Sequence, residues 1–402
     1  MNSTIELEAQ YCAHNYHPLP VVLVKGEGVY VWDDTGKRYL DMMSAYSAVS
    51  HGHAHPRLVQ ALTEQASKLA IVSRAFHSDK LAPFLEKLCH MTGQEMALPM
   101  NTGAEAVETA LKAARKWAYT IKGVADDQAE IIVCDGNFHG RTISIVGFST
   151  EPQYQAGFGP YAPGFLSIPF GNADALEAAI TPNTAAFLLE PIQGEGGIIV
   201  PPPGYLKRVA KICSDNNVLL ICDEIQTGLG RSGALLACDH DAVKPDGLIL
   251  GKALGGGLLP VSMFLARREV MEVFQPGDHG STFGGNPLAA AVALEGLKVL
   301  EDEGLIDAAA ELGNYFIAAL AQLRSPLIKE VRGMGLLIGV EFHPDKVEAR
   351  TVCERLMAKG VLSKETHDTV VRFAPPLIIS RQQIDATVSA LSQVLADLET
   401  GG

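Results

Sequence analysis

The sequence has no cluster of lysines and arginines, no Cys-x-x-Cys pair, no uninterrupted apolar run of bilayer length, no internal repeat and no low-complexity tract. Each absence removes a class of function. With a formal charge of -14 and no basic stretch, the chain offers no footprint for nucleic-acid phosphates, so any anion it holds needs a local site. The seven cysteines are dispersed and odd in number, which suits a reducing compartment better than a disulfide framework or a zinc site. The most apolar stretch, residues 247–266, is interrupted by Lys252 and by five glycines or prolines, which spoils it as a membrane span. The first ten residues carry Glu6 and Glu8 and no apolar core, unlike a signal or transit peptide. The expectation is a cytoplasmic protein that binds neither nucleic acid nor membrane.

What is present is ample material for a core. Of 402 residues, 47% are hydrophobic and 19% charged, enough for one large domain with a smaller one appended. Alternating character over residues 21–41, around Gly28 and Asp34-Thr35-Gly36-Lys37, predicts a small antiparallel meander. Helical periodicity covers 56–69, 80–91 and 104–119. Strand-like runs at 130–134, 185–189, 218–222 and 247–250 then alternate with helical ones, including 204–216, which predicts an α/β fold with a mostly parallel sheet. After Pro287 the pattern predicts a long helix from 288 through 303 to 323, a glycine-rich strand over 332–341, a helix over 347–359, a strand over 370–373 and a last helix over 381–398. The expected division is an N-terminal segment 1–50 joining the small domain, a large domain 51–287 and a small domain 288–402.

In such sheets ligands bind beyond the carboxyl ends of the strands. Three strings stand there: Asn101-Thr102-Gly103-Ala104-Glu105, Asp223-Glu224-Ile225-Gln226 and Gly251-Lys252-Ala253. A lysine directly after a buried strand is costly to desolvate unless its pKa falls, and a lowered pKa makes its amine a nucleophile toward carbonyls. A carboxylate at a neighbouring strand end, Asp223, is the partner that a pyridoxal ring nitrogen needs to keep its proton. The string before the helix offers free N–H groups and a positive dipole end for a phosphate. Each also has a plainer reading: a snorkelling lysine, a helix-capping aspartate, an ordinary capped helix.

Other patterns are weaker. Gly228-Leu229-Gly230-Arg231-Ser232-Gly233 has the glycines of a dinucleotide site, but five residues separate it from its strand and no clear helix follows. The stretch 247–253 falls one residue short of a phosphate loop and lacks its Ser or Thr. His51, His53 and His55 alternate as metal ligands on a strand would, but Pro56 follows at once, which favours a turn and no metal.

Asp223-Glu224-Ile225-Gln226-Thr227-Gly228, with Lys252 twenty-nine residues after Asp223, resembles the class III, fold type I aminotransferases over nearly the whole chain. Within that family the resemblance is to the ornithine-using branch. It rests on Asn15-Tyr16-His17-Pro18-Leu19-Pro20, Ser44-Ala45-Tyr46-Ser47-Ala48-Val49, Asn137-Phe138-His139-Gly140-Arg141-Thr142, Glu190-Pro191-Ile192-Gln193-Gly194-Glu195 and Arg372-Phe373-Ala374-Pro375-Pro376. The resemblance implies a seven-stranded, mostly parallel sheet, pyridoxal 5'-phosphate as cofactor, and a homodimer with its site at the subunit interface. It also implies that Lys252 holds the cofactor as a Schiff base, Asp223 pairs with the ring nitrogen and Gln226 bonds the ring hydroxyl. Phe138 would stack on the ring, Gly103 and Ala104 would bind phosphate through their N–H groups, and Thr282 would reach the partner's phosphate. For L-ornithine and 2-oxoglutarate as substrates, Tyr16 and Arg141 would hold the α-amino and α-carboxylate ends. Tyr46 would set the size of the site, and Glu195 would mask Arg372 until a second carboxylate arrives. His139 and His77 depart from what some members have. Action on acetylornithine or another ω-amino acid, a non-catalytic binding protein on the same fold, and a dehydrogenase resting on 228–233 alone are the other readings.

Overall fold

The computed structural model describes residues 3–400; Met1, Asn2, Gly401 and Gly402, which the terminal segments above include, lie outside them. Gly28, at φ 59°, turns the chain between β1 (Leu23–Glu27) and β2 (Tyr30–Asp33), and β3 (Arg38–Asp41) completes the meander.

The next seven strands are β4 (Met96–Met100), β5 (Glu130–Cys134), β6 (Phe165–Ile168), β7 (Thr184–Leu189), β8 (Leu219–Asp223), β9 (Gly247–Leu250) and β10 (Ser262–Ala266). They form one sheet in the order β4-β10-β9-β8-β7-β5-β6. Only β10 runs against the rest, so β4, β5, β7, β8 and β9 all end on the same edge. Strands β7 to β10 are buried at every position because helices cover both faces, which is why they read as continuous apolar runs rather than alternating ones. Side chains still alternate between the two layers. Ile131, Val133, Ile221 and Ile249 pack with Ala110, Ala114 and Trp117 of the helix Gly103–Trp117, whereas Ile132, Phe187, Leu220 and Leu248 pack with Val209 of the helix Tyr205–Asp215.

Beyond 287 the structure differs from the periodicity in two places. The single long helix is two, Pro287–Asp302 and Leu305–Ala321, broken at Gly304, whose φ of 60° no helix interior accepts. The glycine-rich strand is a hairpin of β11 (Ile328–Met334) and β12 (Leu337–Phe342), turned at Gly335 with φ 56°. Three strands follow: β13 (Val361–Leu362), β14 (Lys364–Thr366) and β15 (Val370–Phe373). They divide between sheets: β13 pairs in parallel with β3, and β15 sits between β12 and β14. The sequence periodicity marks none of the strands β4, β6, β10, β13 and β14. Among the described residues no helix is long and apolar enough to cross a membrane.

Candidate functional site

At the shared strand edge, Thr102 caps the helix Gly103–Trp117 and forms a capping box: its hydroxyl accepts from the Glu105 N–H, while the Glu105 carboxylate accepts from the N–H groups of Thr102 and Asn101. That leaves the N–H groups of Gly103 and Ala104 free among the described residues, at the positive end of the helix. At Gly103 a Cβ would come within 2.9 Å of Ile225 Cδ1, so any side chain there would have to displace the end of that isoleucine.

Lys252 follows β9 with φ 43°, a left-handed conformation that costs a non-glycine residue about 1 kcal/mol or more and is held by the packing around it. Desolvation pulls its amine below the usual lysine pKa, while Glu195, and after it Asp223, act in the opposite sense. Asp223 closes β8. Its Oδ2 meets His139 Nδ1 at 2.7 Å and its Oδ1 accepts from the Ile225 N–H at 3.1 Å. His139 is buried; desolvation alone would lower its pKa, and the Asp223 carboxylate outweighs that and raises it.

Glu190, just after β7, is buried among these groups, and its oxygens accept from the N–H groups of Phe138 and Gly194 at 2.9 and 3.3 Å. Desolvation raises its pKa from 4.5 to about 7. Folding therefore takes up a proton at Glu190 between those values. The stability this confers is complete below about pH 4.5 and is lost as pH rises toward about 7. Glu190→Gln should flatten that part of the stability curve in urea melts, and an unchanged slope would contradict the assignment.

Glu195 and Arg372 form an ion pair in which only the arginine is fully buried: Nη1 donates to Oε1 at 2.6 Å, Arg372 is 1% exposed and the Glu195 side chain 25%. Burial would raise the Glu195 pKa, but the guanidinium holds it at about 2. Tyr46 lies over that guanidinium, 4.9 Å from ring centre to Arg372 Cζ. Gln226 Nε2 donates to Glu195 Oε1 at 3.2 Å, and its amide oxygen presses so closely on Gly194 that a Cβ there would sit 1.5 Å away. Arg141 stands at the margin, its Cζ 3.8 Å from the Tyr154 ring centre and 5.6 Å from that of Phe138.

Two expected residues are elsewhere. Tyr16 is 74% exposed, and Thr282 is exposed beside a separate hollow lined by Ile71, Ser73, Arg74, Gly280 and Ser281. His77 is exposed. The three alternating histidines take separate partners, Gly296 O for His51, Asp41 for His53 and Glu303 for His55.

The expected cofactor residues Gly103, Ala104, Phe138, Asp223, Gln226 and Lys252 line a cavity of about 200 Å³ together with Glu195, while Tyr46, Arg141 and Arg372 are not part of its lining. The lining residues fit pyridoxal phosphate. A carboxylate, an aromatic face, a lysine amine and free helix N–H groups line one space, where Gln226 Oε1 and His139 Nε2 are buried without a protein partner. Sequence reasoning missed Glu190, Tyr154 and Arg231, and took His139 for a neighbour of the ring face. The signal for Glu190 and His139 was available, since both sit in strings just after apolar strands.

The family described as Aminotransferase class-III matches residues 11–395. Ornithine aminotransferases of Geobacillus sp. (strain WCH70) and Bacillus subtilis (strain 168) are 58% and 59% identical, over 98% and 97% of this chain and the same shares of their own. The solved ornithine aminotransferase from Toxoplasma gondii ME49 matches with TM-score 0.98 and 47% identity, covering 99% of this chain and 96% of that one. The acetylornithine aminotransferase from Elizabethkingia anophelis matches with TM-score 0.89 and 48% identity over 98% of both chains.

Proposed function

Because the chain belongs to the class-III aminotransferase family and is a pyridoxal-phosphate-dependent transaminase, we propose that it transfers the δ-amino group of L-ornithine to 2-oxoglutarate. The products are glutamate and glutamate 5-semialdehyde, which closes to pyrroline 5-carboxylate. The observation that carries this reading is the Glu195–Arg372 pair, its arginine buried, under Tyr46.

Bound pyridoxal phosphate supplies an electron sink for breaking bonds at the amine-bearing carbon. The protein's part follows from its own groups. Gly103 and Ala104 offer N–H donors to the phosphate, Phe138 a flat face to the ring, and Gln226 a bond to the ring hydroxyl. Asp223, oriented by His139, keeps a proton on the ring nitrogen. Lys252 Nζ would hold the cofactor and would move the proton at the substrate carbon, a task that its lowered pKa suits.

Ornithine brings two amines and one carboxylate, whereas 2-oxoglutarate brings two carboxylates and no amine. With Arg372 neutralised by Glu195, ornithine has no second cationic grip near the lysine, so its carboxylate goes to Arg141 and its α-amine to Tyr16. The δ-amine is then the one presented to the cofactor. An oxo acid with a second carboxylate takes Arg372 from Glu195.

Steady-state comparison of ornithine, N-acetylornithine and 4-aminobutyrate tests the substrate, and a higher kcat/KM for either of the latter would overturn it. Glu195→Gln, which uncovers Arg372, is expected to lower kcat/KM for ornithine by roughly tenfold to a hundredfold while leaving the glutamate half-reaction undiminished. Equal losses for both substrates would contradict the masking role.

The same reading includes a homodimer, with Thr282 completing the partner's phosphate site. The supporting features are two exposed aromatic side chains, Phe283, next to Thr282 in the chain and 56% exposed, and Phe76, 68% exposed. It also includes the cytoplasm as its compartment and a place in arginine and proline metabolism, supported by the seven unpaired cysteines and the substrate's chemistry.

A further inference from the structure

Arg231 is fully buried, and its guanidinium donates to carbonyl and hydroxyl oxygens rather than to a carboxylate. A guanidinium in such a place is expensive unless its donors are used. Four contacts use its two terminal nitrogens: Nη1 donates to Leu336 O at 3.0 Å and to Pro375 O at 2.5 Å, and Nη2 donates to Ser44 Oγ at 3.2 Å and Ser50 Oγ at 3.1 Å, while Nε is buried without a partner. Ser44 Oγ in turn donates to Ala374 O at 2.6 Å.

One of these acceptors, Leu336 O, lies in the turn between β11 and β12, and the other three lie in or next to two segments that bear on Arg372. One is the turn Ser44–Ser47, in which four successive non-glycine residues have φ of 45°, 47°, 59° and 74°. Such a run persists only where its surroundings over-determine it. Here the holding contacts are Asp41 Oδ1, accepting from the N–H groups of Met43 and Ser44, and the two serine hydroxyls bound to Arg231. The other segment is the end of β15, where Ala374 and Pro375 follow Arg372 by two and three residues. The turn carries Tyr46, whose ring lies over Arg372.

We infer that Arg231 is a positioning residue for substrate selection: its guanidinium clamps the strained turn to the end of β15, and so sets the distance between Tyr46 and Arg372. This rests on the reading above in which Tyr46 shapes the substrate site. Arg231 touches neither substrate nor cofactor; it acts through Ser44, Ser50 and the carbonyls beyond Arg372. The glycines around it serve the clamp. At Gly233 a Cβ would lie 3.0 Å from Ala310, and at Gly230 3.1 Å from Leu377, so the loop packs tightly enough to aim the arginine.

The test uses the cofactor-loaded enzyme with Ser50→Ala, Arg231→Lys, Tyr46→Ala and the double variant Ser50→Ala/Tyr46→Ala. Each is measured for melting temperature and for kcat and KM with ornithine and with 4-aminobutyrate. Ser50→Ala and Arg231→Lys are expected to raise KM for ornithine, with kcat changing less. They should also lower its kcat/KM relative to 4-aminobutyrate by roughly three- to tenfold, the scale of one or two lost hydrogen bonds. In the double variant, Ser50→Ala should add nothing to the ratio beyond Tyr46→Ala, because its effect passes through that ring. A lower melting temperature with an unchanged substrate ratio would overturn the inference, and so would additive effects in the double variant. If Arg231→Lys does not fold, Ser50→Ala, which keeps the guanidinium, decides the matter. A Tyr46→Ala variant with an unaltered ratio would instead refute the substrate reading, and the positioning role would fall with it.

Discussion

Lys252→Ala is expected to lose turnover with ornithine by roughly 10⁴- to 10⁶-fold, the scale seen when the group that carries the covalent chemistry is removed. The amine sits just after β9 in the same cavity as Asp223 and Gln226, and burial lowers its pKa there, which favours the neutral, nucleophilic form. No other lysine lines that cavity. The fold should tolerate the change. The variant removes a partly desolvated cation and a flexible side chain, and alanine carries no larger penalty than lysine at the left-handed φ of 43°. Thermal melts of the cofactor-free protein should therefore differ little from the parent, while the visible absorbance of bound cofactor shifts. Turnover within tenfold of the parent would remove Lys252 from the chemistry.

Asp223→Asn carries the second largest expected effect, a loss in kcat of roughly 10³- to 10⁴-fold, comparable to neutralising an orienting carboxylate in other enzymes. An amide keeps the shape and can still accept from His139 Nδ1, but it brings no charge to hold a proton on a ring nitrogen. His139→Gln should lose less, roughly tenfold to a hundredfold, because it leaves the carboxylate in place and only loosens its aim. The two rank oppositely if His139 is the group that matters and Asp223 merely orients it. Single-turnover rates with ornithine, measured across pH, separate these cases.

The strands that end at Cys134, Leu189, Asp223 and Leu250 were legible as apolar runs because helices bury both of their faces, and burial on both sides writes an unbroken apolar string. Their carboxyl ends pointed to Asp223, Gln226 and Lys252 before any coordinate. Strand β10 was hidden inside the same apolar stretch as β9, since composition cannot tell one strand from two that pair antiparallel across a glycine-rich turn. The helix break at Gly304 was invisible for a related reason: both helices bury apolar residues, and the hydrophobic pattern continues across the turn. His139 looked like a substitution next to a stacking ring. Its function depends on a carboxylate 84 residues away, and no local pattern encodes that partner.

By itself the sequence determined which chemical groups stand at the strand ends, the kind of sheet that gathers them and the family to which they belong. All three are written in short strings and in the period of apolar residues. The tertiary structure alone decided which groups meet: Glu195 with Arg372 across 177 residues, Arg231 with Ser44 across 187, and Tyr46 over the guanidinium it covers. It also left Tyr16, Thr282, Tyr46, Arg141 and Arg372 outside the lining of the cavity that holds Lys252 and Asp223. Hydrophobic burial is set by composition and tolerates shifts of an ångström, whereas a charge-assisted hydrogen bond or a ring over a cation exists only at one distance and angle, and only the packed chain supplies those.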